Sequence, residues 1–168
     1  MSAWAALLRA VNVGGNNKLP MAELKALCEG LGLGRVQTYI ASGNVVFASE
    51  RSEADIRGAI EAALAARYAK QLGVLVRSAA ELGEVAANNP WPDRPGNRVV
   101  AIFIDGPLAL DGVTGQRGET IMLGPRAIYV DYHAGMADTR LRIPAAKLGT
   151  ARNLNTVTKL AAMTAALG

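Results

Sequence analysis

Residues 3–18 read AWAALLRAVNVGGNNK. Ala3 to Val13 is apolar at nearly every position, which fits a strand buried on both faces, and so central in its sheet, better than a half-exposed one. Gly14, Gly15, Asn16 and Asn17 then break the run. Pro20 suits the first turn of a helix in which Leu24, Leu27, Cys28 and Leu31 recur at i, i+3, i+4 and i+7, and Gly32 and Gly34 end it. Two β-rich runs, Val36 to Ala41 and Asn44 to Ala48, flank Ser42 and Gly43 as a hairpin. Ser52 or Glu53 opens an Ala-rich helix to about Lys70 with Ile56, Ile60 and Leu64 on one face, and Val74, Leu75 and Val76 form the next strand. The order β-α-β-β-α-β predicts an α+β fold whose residues 1–77 make a ferredoxin-like βαββαβ unit.

Beyond it, residues 78–97 are expected to form a linker, a helix from Ser78 to about Ala87 and a Pro-rich loop from Asn88 to Gly96. Residues 98–168 then read as a second α+β unit, a degenerate βαββα copy without sequence-level repetition. Its expected parts are a strand at Val99 to Ile104, a short helix or turn at Pro107 to Val113, and a hairpin of Thr120 to Leu123 with Ile128 to Tyr132. A helical region from Asp138, interrupted by Pro144, and a last helix from about Thr156 to Leu167 complete it.

Composition excludes several classes of function. Of 168 residues 31 are Ala, so the core must come from fewer large side chains than the 51% hydrophobic content suggests. No stretch reaches the ~18 uncharged apolar residues of a transmembrane helix, and no basic segment precedes the apolar start, so a soluble, unsecreted, cytoplasmic protein with no membrane partner is expected. One Cys excludes an internal disulfide, and one His besides leaves no Cys/His zinc site; neither metal nor cofactor is expected. The net charge of +4 is local. After His133, Arg140, Arg142, Lys147, Arg152 and Lys159 stand against Asp138 alone, which suggests a local anion site or a basic stripe.

In a ferredoxin-like unit the first two strands run parallel with the third antiparallel between them. The end of the first strand and the hairpin joining the second to the third therefore share one edge. This geometry brings the loop Asn12 to Lys18 beside Ser42, Gly43 and Asn44, with Arg9 just behind. A guanidinium in so apolar a strand must meet water, a carboxylate or a bound anion, and no acidic residue lies in that loop or turn. Gly14 and Gly15 let backbone amides approach a ligand, and the following helix start favours phosphate or carboxylate. Near the other end, Arg152-Asn153-Leu154-Asn155-Thr156 precedes the last helix. Asn153, Asn155 or Thr156 can cap it, and Arg152 beside them is expected to make a second anion-binding element facing the first.

Other residues look chemical and are read as structural. Cys28 completes an apolar helix stripe, His133 has no serine or cysteine placed to serve it, and Asp105 and Asp131 end strands, where turn chemistry is the simpler role. Trp4, Tyr39, Phe47 and Phe103 do not make the exposed aromatic pattern of an RNA-recognition sheet.

The strings ALLRAVNVGGNNKLPMAELKAL, VQTYIASGNVVF and TARNLNTVTKL together resemble the bacterial domain-of-unknown-function 1697 (DUF1697) family, with VLVRSAAELGEVAANNPWP similar to its linker helix and turn. The resemblance implies a small α+β protein with ferredoxin-like halves and no established activity. Its motifs fall on Arg9, Asn12, Gly14, Gly15, Lys18, Ser42, Gly43, Asn44, Arg152, Asn153, Asn155 and Thr156. Ala10 stands where the family has glycine, Leu154 where it has tryptophan, and Thr139-Arg140 where it has Ser-Lys. The expected function is a binding module for an anionic ligand, a phosphorylated small molecule, nucleotide or nucleic-acid backbone. The alternatives are an enzyme using the same cluster on a phosphorylated substrate and a homodimeric interaction protein.

Overall fold

A computed structural model of the chain describes residues 1–9, 19–40, 43–68, 72–133 and 139–167. Among them lie β1 (Ser2–Leu8), α1 (Met21–Gly30), β2 (Gly34–Tyr39), β3 (Asn44–Ser49), α2 (Glu53–Tyr68), β4 (Val74–Ser78), α3 (Ala79–Ala87), β5 (Val99–Phe103), β6 (Thr120–Gly124), β7 (Ala127–Asp131), β8 (Thr150–Asn153) and α4 (Leu154–Leu167). A short 3-10 helix, Pro144–Leu148, precedes β8. The result is a mixed α+β fold with two four-stranded antiparallel sheets. The chain divides into two compact units, Met1–Ala80 with Leu160–Gly168, and Glu81–Lys159.

The first sheet has the order β2-β3-β1-β4. As its composition requires, β1 is internal, with Ala5, Ala6, Leu7 and Leu8 all buried. Among the described residues it ends at Leu8, where its partners begin. β3 begins at Asn44 opposite Leu7 and β4 at Val74 opposite Leu8, so Arg9 stands just past the last rung, and residues 10–13 lie outside the described ones. Pro20 takes the N-cap position of α1 with extended backbone, Leu24 and Cys28 face the core, and Gly32, at φ 85°, provides the left-handed exit. In α2 the Ser52 hydroxyl accepts the Asp55 amide at 3.2 Å, a side-chain cap, and Ile56, Ile60 and Leu64 are fully buried. They join Leu24, Cys28 and Phe47 in one apolar cluster.

The second sheet has the order β6-β7-β5-β8. β5 and β7 are buried at every residue, as two-sided apolar strands are. Here the expected βαββα order is corrected in three places. Between β5 and β6, where Pro107 to Val113 is expected as a short helix or turn, the chain takes the turn, so the order has no helix there; Gly112 has φ 77°, which an α-helix excludes. The helical region expected from Asp138 is non-helical over 139–143. Leu141 and Ile143 alternate into the apolar cluster of Val100, Ile102, Ile128 and Val130, a period of two. Finally, Arg152 and Asn153, expected only to precede a last helix from about Thr156, belong to β8, which pairs with β5; Leu154 already starts α4.

Candidate functional site

An antiparallel neighbour begins where its partner ends. The C-terminal end of β1 therefore lies beside the starts of both β3 and β4. The Leu8 amide donates to the Gly43 carbonyl and the Arg9 amide to the Gly73 carbonyl, each at 2.9 Å. Gly43 has φ 82°, so the hairpin needs a residue without Cβ strain there. Asn44 is fully buried, and its Nδ2 donates to the Tyr39 carbonyl at 3.1 Å, which latches the two ends of the turn.

The Arg9 side chain is half-buried and lies across Gly73, where a Cβ would stand 2.8 Å from Arg9 Cδ and 3.2 Å from Nη1. Arg9, Leu72 and Gly73 with Glu61, Ala62 and Ala65 of α2 line a pocket of about 320 Å³. The two alanines leave room that larger residues would fill. Glu61 Oε2 also accepts the Val74 amide at 3.4 Å. One guanidinium and one carboxylate thus share a concave surface, able to hold a ligand carrying both an anionic group and a hydrogen-bond donor. Sequence reasoning missed Glu61 because it sought an acid only in the adjacent loop and turn. The available signal was its place beside Ile60 on the buried stripe of α2.

Arg9, Gly43 and Asn44 are therefore gathered at one edge, whereas Asn12, Gly14, Gly15, Lys18 and Ser42 lie outside the described residues. Arg152, Asn153, Asn155 and Thr156 are together at the joint of β8 and α4, in the second unit. Arg152 is only 9% exposed, its Nη1 donating to Thr150 Oγ1 at 2.6 Å and to the Ala151 carbonyl at 2.9 Å. Burial pushes its pKa down from 12.5 to about 10. Asn153 Oδ1 accepts the Thr156 amide at 2.9 Å and so supplies the cap of α4. Thr156 is buried, and the exposed Asn155 lies against Gly96, where a Cβ would collide with its Oδ1.

The remaining polar candidates are structural. Cys28 is fully buried, and burial with nearby Glu29 pushes its thiol up to about 12, so it is no nucleophile. Asp105 and Asp131 make ion pairs, which corrects the turn role expected for them. Asp105 meets Arg126 Nη2 at 2.9 Å while Glu81 meets Nη1 at 2.7 Å. The fully buried Asp131 meets Arg94 Nε at 3.1 Å. His133 Nε2 stands 3.4 Å from Asp131 Oδ2 and 3.0 Å from Thr120 Oγ1. Both partners share one nitrogen, whereas a hydroxyl–imidazole–carboxylate relay uses two. Among the described residues no group of three or more His, Cys, Asp or Glu is placed to hold a metal ion, and no helix is long and apolar enough to cross a membrane.

A family model described as "Protein of unknown function (DUF1697)" matches residues 1–129. No curated protein matches the chain. Among solved structures, a conserved bacterial protein from Streptococcus pneumoniae is similar, with 26% sequence identity, a TM-score of 0.78, and coverage of 97% of this chain and 98% of that one.

Proposed function

The chain belongs to the DUF1697 family, and on that premise we propose that it is a binding module for a phosphorylated small molecule, held at the end of β1. The observation that carries the proposal is the Arg9 side chain laid over Gly73 in a pocket it shares with Glu61. Arg9 supplies the charge-assisted hydrogen bonds for a phosphate, and Gly43 gives the backbone close access. Asn12, Gly14, Gly15, Lys18 and Ser42, outside the described residues, are the further ligand contacts that this reading carries over from the sequence; Asn44 holds the turn's shape. Glu61 narrows the ligand, because a second negative charge repels a continuous polyanion but accepts from a hydroxyl or amine. A nucleotide or phosphorylated metabolite suits the pair better than a nucleic-acid backbone. The order β2-β3-β1-β4, with helices after β1 and β3, supports reading the first unit as ferredoxin-like, the arrangement that brings these strand ends together.

Calorimetric titration with a nucleoside monophosphate and with heparin, each at two salt concentrations, tests this. Nucleotide binding weakened tenfold or more by Arg9→Ala is expected, since a charged hydrogen bond is worth ~1.5–3 kcal/mol; no heat with either probe at either salt removes the proposal. Glu61 also favours a second reading, an enzyme on a phosphorylated substrate with Glu61 as its base. Turnover of a phosphorylated metabolite lost in Glu61→Gln, with binding retained, would establish that reading over simple binding.

A further inference from the structure

We propose a second anion site, in the second unit, where Arg140 and Arg142 grip a diphosphate group between them. It is independent of the Arg9 pocket. Leu141 and Ile143 pack into the second apolar cluster, and residues two apart in extended backbone share a side. Arg140 and Arg142 are accordingly both exposed, about 6–7 Å apart at their Cα atoms from the rise per extended residue.

The backbone that carries them is held on several sides. Thr114 and Arg142 exchange both amide hydrogen bonds, at 3.1 and 2.9 Å. Gly115 lies so close that a Cβ there would stand 1.9 Å from the Arg140 carbonyl oxygen. The Thr139 hydroxyl donates to Glu119 Oε2 at 2.6 Å and accepts the Leu141 amide at 3.2 Å. From this fixed base Arg140 and Arg142, with Thr139 and Leu141, line a pocket of about 540 Å³.

Among the described residues neither guanidinium is paired with an acid. Glu119 is engaged elsewhere, Oε2 by Thr139 and Oε1 by the Arg117 amide. Two neighbouring like charges favour a ligand with two linked anionic centres, and each guanidinium fork matches one phosphate. A single phosphate fills one fork. With no aromatic residue in the lining, nothing stacks a base, which favours a small diphosphate over single-stranded nucleic acid.

The test is calorimetric titration of the full chain with pyrophosphate, orthophosphate, a nucleoside diphosphate and an oligothymidylate. Pyrophosphate is expected to bind at least about tenfold more tightly than orthophosphate. The double variant Arg140→Ala/Arg142→Ala loses that binding, Arg9→Ala keeps it, and Arg140→Lys/Arg142→Lys, with charge but no fork, gives an intermediate affinity. In the Arg9→Ala background, which removes the nucleotide site proposed for the first unit, a nucleoside diphosphate that outbinds pyrophosphate makes the ester the source of the group; one that does not makes it the free diphosphate. Either result supports the site. Absence of pyrophosphate binding, a double variant that folds by circular dichroism and binds unchanged, a lysine variant that binds as tightly as the parent, or an oligothymidylate that binds more tightly than pyrophosphate overturns the proposal.

Discussion

Gly73 and Gly124 are both bare beneath a larger side chain, yet the same substitution at the two has unequal consequences. At Gly73 a Cβ meets the aliphatic and guanidinium end of Arg9, a half-buried chain that can swing away. Gly73→Ala is therefore expected to change stability by less than ~1 kcal/mol while weakening ligand binding at the Arg9 pocket. At Gly124 a Cβ would stand 2.2 Å from Tyr129 Cε2, in a ring 1% exposed whose hydroxyl donates to the Val85 carbonyl at 2.7 Å. Gly124→Ala should cost ~1–3 kcal/mol or more by overpacking, read as a lower urea midpoint at unchanged slope. Cys28 gives a pH prediction. The folded thiol is raised from 9.0 to about 12, so between those values the unfolded chain releases a proton that the folded chain keeps. Its contribution is complete below about pH 9 and declines as pH rises toward 12; the alkaline loss of stability should be shallower in Cys28→Val, and folded protein should resist thiol reagents at about pH 8. At this scale the sequence disclosed Arg9 as an anomaly but not its neighbour. Glu61 is 52 residues away, and only the packing of α2 on β4 makes them share a wall.

Elements with strong apolar periodicity were legible from residue order alone. α1 and α2 each carry the buried face that their spacing predicts, and internal β1 follows from its two apolar sides. The elements that were missed lack that signal. β8 is Thr-Ala-Arg-Asn, with no apolar alternation, and exists because β5 has a free edge for it to complete. Pro107 to Val113 reads from residue order as a short helix or turn, and the left-handed Gly112 commits it to the turn. The caps are testable element by element. Ser52→Ala and Asn153→Ala each remove an acceptor from the first turn of a helix, and each is expected to cost about 1 kcal/mol in denaturant unfolding; no loss in either would mean that water replaces the side chain there.

Across the whole molecule, each sheet has two internal strands and two edges. Hydrogen exchange should accordingly be slowest in β1, β3, β5 and β7 and faster in β2, β4, β6 and β8, where one row of backbone groups lacks a ladder partner among the described residues. Protection of β6 equal to that of β7 would show that another strand or chain covers this edge. The joint of β8 and α4 has a practical meaning. Asn153 is at once the rung opposite Val100 and the cap of the following helix, leaving no spare residue between sheet and helix. A peptide grafted between 153 and 154 would have to break a ladder and expose a helix start in the same act, whereas the exposed residues 116–118 interrupt neither. Anyone choosing where to open, tag or permute this chain should cut in the latter and leave the former intact.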